Sequence, residues 1–527
     1  MTLTLSSLMS FLLAAKPRTV ATPVAASSRN SSKRLRRLSL SCGGALLFSA
    51  AAMLVTPSAT AAEFYDDSNI LIPQMGTAGA LGISVQREKA IGDFFLRTAR
   101  ANLPVIDDPV LNEYVTSLGN RLLSHADNVQ FPFDFFVVKN NDLNASAFLG
   151  GKVVINTGLF NYASTEDEFA SVLAHEISHV TQRHIARFVE KMTMANRLST
   201  AGVVGSIVMA ILNPAVGLAA MSTTMGASMQ SGINFTRDNE YEADRIGITL
   251  LYRAGLNPQG MVDMFRYLNS QQGNINPAFT LLIDHPLSDV RMAEAQNRVA
   301  QFEHRPDSTN PDYQYARARV AVRYTMPDDE KSLRDFKQGL KHNARGYTEY
   351  YQNYALALVC YELKEYDEAA GYLRRLPQSQ QSNLFVLDLF TDIDIARGQP
   401  QQAVARLQPF YKRTPRNQVI VANLASAYNE NMQYSRARDL LVGYLRYKPK
   451  DVLALNLLAT TYTKLKNQCD TLQTRGEVYA LSAAYPQAMG MFNQALQTCT
   501  EMLTRERIKA RVSELVTQRS FDESLLR

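Results

Sequence analysis

The chain is poor in histidine, with seven among 527 residues, so chemistry that needs several imidazoles must be concentrated in one or two places. Cysteine is scarcer. Of four, Cys42 falls in the N-terminal run described below. Cys360, Cys469 and Cys499 then make an odd remainder that permits at most one internal bridge and excludes a disulfide framework. Residues 1 to 61 hold seven Lys/Arg and no acid. Setting them aside turns the formal charge of +6 into about −1, so nothing in the charge points to nucleic acid. No charged residue occurs from Leu198 to Thr236, and strand signals are missing beyond about residue 310.

What stands at the N-terminus is an export signal. The basic cluster Lys33 to Arg37 precedes an uncharged run, Leu38 to Val55, then Pro57 and the small-residue pattern Ala59-Thr60-Ala61. A secretory signal peptide with cleavage near Ala61 is the expectation. The run is short and rich in Ala and Ser, which argues against a membrane anchor, and Cys42 precedes its core, which argues against a lipoprotein. Residues 1 to 30 read as an extension upstream of the signal. Export implies an oxidising compartment. There the expected pair is Cys469 with Cys499, although spacing alone does not decide connectivity.

Three regions follow: 1–61, extension and signal; 62–305, a mixed domain; 306–527, an all-helical one. In the mixed domain Glu88 to Arg100 and Pro109 to Leu123 have helical periodicity, while Phe131 to Val138 and Lys152 to Thr157 read as strands, with a Gly150-Gly151 turn between them. Thr165 and Glu168 have capping-box spacing at the start of a further helix, whose first turn is acidic. In the last region Ala369, Ala403 and Ala437 are 34 apart, as are Leu373, Leu407 and Leu441, and Tyr366, Pro400 and Tyr434; Gly398 falls at a helix-helix turn. That period, with small residues where helices cross, is similar to the tetratricopeptide repeat. Such helix pairs stack into a curved array whose concave face takes other proteins or docks on its own chain.

The capped helix carries A-H-E-I-S-H-V, Ala174 to Val180. His175 and His179 are one turn apart and share a face, so both imidazoles can reach one zinc ion. Glu176 is rotated about 100 degrees from His175, a poor third ligand but well placed to take a proton from a zinc-bound water. This is the logic of the HExxH metalloproteases. The extended metzincin pattern needs Gly at 182 and His at 185, where the chain has Gln182 and Ile185. His184, nine residues from His175, falls half a turn out of phase and is expected to point away, as a surface or second-layer residue.

N-E-Y-E-A-D supplies the alternative. Glu240 and Asp244 are one turn apart, with Glu242 on the other side. Glu240 can ligate while Asp244 accepts the Nδ1 proton of a ligand histidine.

Taken together, H-E-I-S-H, N-E-Y-E-A-D-R-I-G, the upstream N-A-S-A-F-L-G-G-K-V-V-I-N-T-G-L and the downstream D-H-P-L-S-D-V-R resemble the gluzincin family of the CAAX prenyl endopeptidases and heat-shock membrane proteases. The resemblance implies an α+β zinc metallopeptidase domain, mostly helical with a small sheet, followed by an all-α repeat array. It assigns one zinc ion per subunit to His175, His179 and Glu240, and the role of general base to Glu176. It puts His285 near the metal, as a fourth ligand that keeps the enzyme latent by displacing the water that hydrolysis needs. It makes the strand holding Val153, Val154, Ile155 and Asn156 an edge on which substrate lies extended, selected by shape more than sequence. With the signal peptide and the array, the resemblance implies work on outer-membrane barrel proteins and their assembly machinery, cutting misfolded or stalled clients.

The uncharged stretch from Leu198 to Thr236 is too short for two membrane spans and is interrupted at Asn213-Pro214. It reads as a lid, as a peripheral membrane or apolar-partner contact, or as buried loop packing. The runner-up to the protease is an assembly factor with a vestigial metal site, against which the intact ligand set argues.

Overall fold

Ser84 starts the first helix by accepting the backbone N–H of Arg87 on its hydroxyl, and the helix α1 (Val85–Asn102) buries Ile91, Phe94 and Phe95. The computed structural model describes residues 83–196, 202–205, 208, 229–271, 281, 285–342 and 347–525. The expected signal peptide, with its cleavage near Ala61, lies outside them. Helix α2 (Pro109–Leu123) has Asp108 as its cap and Pro109 in its first turn, where a missing N–H costs nothing.

Three strands follow, β1 (Asp134–Val138), β2 (Ala145–Phe148) and β3 (Lys152–Asn156). Their order is β1-β3-β2, with β3 parallel to β1 and antiparallel to β2. This corrects the expectation for Val153, Val154, Ile155 and Asn156. They form the central strand, paired on both sides, and cannot receive a substrate strand. The edge is β2. Its Ala-Ser-Ala-Phe run has weak strand propensity, so the sequence hid one neighbour of β3. Gly150 and Gly151 both have positive φ, 69° and 77°, in the turn that joins β2 to β3, a conformation that glycine adopts without steric cost.

After α3 (Thr157–Tyr162) comes α4 (Glu166–Thr181), capped by Thr165 and buried along almost its whole length. It packs against β2 and against two later helices, α6 (Met229–Arg253) and α7 (Gln259–Gln271); α5 (His184–Asn196) lies between α4 and α6 in the chain, and α8 (Asp289–Val299) follows α7. Two of the three acids in the first turn of α4 anchor it. Asp167 accepts the N–H groups of Asn257 and Ser308, and Glu166 accepts from Tyr114, Ser308 and Asn310. Of the uncharged stretch, Val203, Val204 and Val208 are described, and they are buried in one cluster with Ile91, Phe94, Phe95 and Val189. Residues 202–205 and 208 are helical, so this burial is helix packing rather than the loop packing expected. Residues 229–236 of the stretch open α6, and 198–201, 206–207 and 209–228 lie outside the described residues, among which no helix is long and apolar enough to cross a membrane.

The remaining helices are α9 (Pro311–Val320), which runs into a π-helical turn at Ala321–Thr325, α10 (Glu330–His342), α11 (Glu349–Glu362), α12 (Tyr366–Arg375), α13 (Leu384–Ala396), α14 (Pro400–Arg413), α15 (Gln418–Glu430), α16 (Tyr434–Leu445), α17 (Val452–Lys464), α18 (Gln468–Ala480), α19 (Tyr485–Thr498) and α20 (Met502–Leu525). The 34-residue period is visible in them. Tyr366, Pro400 and Tyr434 each open a helix, and the Ala and Leu columns are fully buried. The turns ahead of the second helices repeat with the same spacing at Lys364, Gly398, Met432 and Lys466, all with φ between 55° and 71°. Cys469 and Cys499 are joined by a disulfide bond.

The array docks on its own chain. Helices α9, α13 and α15 pack against α2, and α20 returns to α1. One apolar core therefore runs without a break from Val110 and Leu173 through Tyr313 and Tyr354 to Val419.

Candidate metal centre

Helix α4 projects His175 and His179 from one face, with their Nε2 atoms 2.9 Å apart. Glu240 arrives from α6, 3.4 Å from His175 Nε2 and 3.5 Å from His179 Nε2. His285, which precedes α8, puts its Nδ1 3.0 Å from Glu240 Oε1 and 3.3 Å from His175 Nε2. One donor atom from each of these four residues lies within 4.8 Å of the others. A tetrahedral ion at roughly 2.1 Å from each ligand sets its donors about 3.4 Å apart, so the observed spacing fits a four-coordinate ion held by three imidazoles and a carboxylate.

Glu176 faces the same point from outside that set. Its Oε2 accepts the Ala147 N–H at 2.7 Å, from the free edge of β2. Its Oε1 is buried without a hydrogen-bond partner and lies 3.4 Å from His285 Nε2. A buried carboxylate oxygen left unpaired is costly, which marks this one for a proton or a water rather than for packing.

The supports of the ligands are as specific as the ligands. Asp244 sits 3.0 Å from His175 Nδ1. Arg291 holds that carboxylate with two hydrogen bonds, from Nε at 2.7 Å and Nη2 at 2.8 Å, reaches Glu240 Oε2 at 3.0 Å, and donates to the Pro286 carbonyl at 2.9 Å. It thereby ties α6 to the segment that presents His285. Nothing in the spacing of the sequence singled Arg291 out; the only signal was its place at the end of D-H-P-L-S-D-V-R.

His184 requires a correction. It does not point away: its Nδ1 is 2.8 Å from His179 Nδ1. The helical phase that sent it outward does not hold, because α4 ends at Gln182 and Arg183 takes φ 56° before α5 begins. Arg183 is held there by hydrogen bonds to Glu88 and to the Ile83 carbonyl, which offset the cost of about 1–2 kcal/mol for a side chain in that conformation.

Residues 109–299 match Peptidase family M48, and residues 394–460 match the Tetratricopeptide repeat. The Beta-barrel assembly-enhancing protease of Yersinia pestis is 38% identical over 446 residues, 84% of this chain and 91% of its own length. That of Escherichia coli (strain K12) is 36% identical over 455 residues, 86% and 93% of the two chains. The chain belongs to the beta-barrel assembly-enhancing proteases. A more distant likeness, 25% over 190 residues (36% and 53%), is to the Mitochondrial metalloendopeptidase OMA1 of Schizosaccharomyces pombe. This chain is a metalloendopeptidase of Peptidase family M48, with a metallopeptidase domain followed by tetratricopeptide repeats. The family implies a metal, and the four clustered donors are where one fits.

Electrostatics in this member of the beta-barrel assembly-enhancing proteases favour a cation. Burial by itself lowers the His175 imidazole, but the Asp244 and Glu240 carboxylates outweigh it and hold it up to about 10. Burial raises the Glu240 carboxyl, and His285 and His175 reverse that and hold it well below the usual carboxylate range. Burial and the neighbouring His175 imidazole push His179 down. Burial pushes the Glu176 carboxyl up, in the direction that suits a proton acceptor working near neutral pH.

Proposed function

We propose that this chain is a periplasmic zinc metalloendopeptidase and chaperone-like factor that acts on misfolded or stalled outer-membrane barrel proteins. In this reading residues 1–61 are removed on export, 62–305 form the peptidase and 306–527 the array that reaches the assembly machinery. The observation that carries it is the convergence of His175, His179 and Glu240 from two helices 60 residues apart, with the unpaired Glu176 oxygen beside them. The names of the relatives speak for barrel assembly, and the Cys469–Cys499 bond fits an oxidising compartment.

His175, His179 and Glu240 would hold the zinc, which when bound supplies Lewis acidity and brings the pKa of a water to near 7. The rest falls to the chain's own groups. Asp244 accepts the His175 Nδ1 proton and fixes that ring. Ala147 N–H pins one oxygen of Glu176, so the other is aimed at the reacting water, takes its proton and passes it to the leaving amine. The outward N–H and C=O groups of Ala145 and the C=O of Ala147, whose N–H Glu176 takes, pair with an extended client segment, which selects exposed strands by shape. His285, between Glu240 and Glu176, would be a fourth ligand to the metal and would thereby hold the enzyme at rest.

Latency also supports a second role, since a resting chain can assist assembly without cutting. The test of both is metal content and casein cleavage of the purified mature chain beside Glu176→Gln and His285→Ala. The expected outcome is stoichiometric zinc in wild type and Glu176→Gln, a loss of about 10²–10⁴ in rate for Glu176→Gln, and a gain in rate for His285→Ala. Stoichiometric zinc with no cleavage by wild type or His285→Ala leaves only the assembly factor.

A further inference from the structure

Among the described residues the two histidines of α4 are supported in different ways. His175 has a carboxylate on its Nδ1 side, Asp244 at 3.0 Å, itself gripped by Arg291. His179 has another imidazole, His184 Nδ1 at 2.8 Å. His184 is 3% exposed. Its far nitrogen, Nε2, lies 3.1 Å from Glu242 Oε2, and Arg187 donates to the same oxygen at 2.7 Å. The rings of His179 and His184 meet edge to face, 84° apart.

Tautomers follow from this geometry. A carboxylate can only accept, so the hydrogen between His184 and Glu242 belongs to His184 Nε2. A neutral His184 then offers an Nδ1 lone pair, which accepts the Nδ1–H of His179 and leaves His179 Nε2 bare toward His175, Glu240 and His285. The direction of the whole chain is set by Glu242, the acid that lies off the ligand face of α6.

We propose that His184 is the positioning residue for His179: it accepts the His179 Nδ1 proton, is locked in its own tautomer by Glu242, and so presents His179 Nε2 as a metal ligand supported by a neutral group. The pair of ligand histidines is then deliberately unequal. A carboxylate on one Nδ1 makes His175 the stronger donor, whereas a neutral partner on the other keeps a further negative charge away from the metal and preserves its Lewis acidity. The positive φ at Arg183 is the backbone device that makes the contact possible, since a continuous α4 would carry His184 off the ligand face.

The inference rests on the zinc reading above, and its test separates the two. Zinc affinity is measured by competition with a chromogenic chelator for the full mature chain, for His184→Phe, His184→Asn and Glu242→Gln, with far-UV circular dichroism as the control for folding. His184→Phe keeps the ring's bulk and loses the acceptor, and about a 10- to 100-fold weaker zinc affinity is expected. His184→Asn, whose Oδ1 can accept the same proton, recovers most of it. Glu242→Gln, at a half-exposed position where folding is not at stake, weakens zinc several-fold. The visible spectrum of the cobalt-substituted protein shifts in His184→Phe and returns toward wild type in His184→Asn. Unchanged zinc affinity and cobalt spectrum in both His184→Phe and Glu242→Gln would overturn the proposal, as would an Asn variant no better than Phe. A wild-type chain that binds no zinc would instead overturn the reading on which it rests.

Discussion

Arg319 Nε donates to Asp108 Oδ2 at 2.6 Å, joining a helix of the repeat region to the cap of a peptidase helix through a pair that is almost fully buried. The same guanidinium lies 2.7 Å from Asp388 on α13, and Tyr324 donates to Asp108 at 2.7 Å. Arg319→Met strands two buried carboxylates, and a loss of about 3–5 kcal/mol is expected in urea unfolding. Adding Asp108→Asn and Asp388→Asn removes the stranded charges, keeps the helix cap, and recovers most of the loss. The wild type unfolds in one transition, because one core spans both regions; separate peptidase and repeat transitions would contradict that.

The position of β2 makes a sharp prediction with proline. Ala145 shares the outward phase of Ala147, so Ala145→Pro removes an N–H that faces the free edge and leaves the sheet intact. It is expected to fold, and to raise KM for casein by an order of magnitude by costing the client a backbone partner. Val154→Pro breaks a ladder hydrogen bond of the central strand and is expected to abolish soluble expression. If Val154→Pro were folded and merely weak for substrate, the central placement of β3 would be wrong.

Metal removal couples to stability because the ligands come from α4, α6 and the segment before α8. A ligand present at 1,000 times its Kd adds about 4 kcal/mol. A strong chelator is therefore expected to lower the melting temperature of the wild type measurably, and to leave His179→Ala unmoved. Equal shifts in both proteins would mean that the chelator acts elsewhere.

The repeat turns offer a gain rather than a loss. Lys364, Met432 and Lys466 occupy the left-handed conformation that Gly398 adopts freely, and a non-glycine residue pays about 1–2 kcal/mol there. Met432→Gly and Lys466→Gly, both at exposed positions, are each expected to stabilise by about 0.5–1 kcal/mol once the added freedom of the unfolded chain is counted. Gly398→Val is expected to do the opposite. Thermal melts of the three variants settle the sign.

Legibility followed the range of the interaction. The helix carrying His175 and His179 was readable because cap, period and ligand spacing all lie within one turn or two. Tyr366, Pro400 and Tyr434 were readable for the same reason, and Gly398 advertised its turn where Lys364, Met432 and Lys466, in the same conformation, did not. The edge strand was misassigned because Ala145 to Phe148 has no propensity signal, and its existence depends on pairing with β3. His184 was misplaced because a single residue, Arg183, leaves helical geometry for a reason that lies 95 positions away, at Glu88.

The sequence by itself determined the two histidines on one helix face with an acid beside them, the paired acids at Glu240 and Asp244, and the repeating helix pairs, since residue identity and a spacing of four or 34 positions are enough to define them. Tertiary structure decided the rest: which strand is left open, that Arg291 and His184 stand behind the ligands, that His285 comes between Glu240 and Glu176, and that the array wraps its own peptidase. Those outcomes depend on where distant segments pack, and packing energy is shared among many weak contacts that no local pattern encodes.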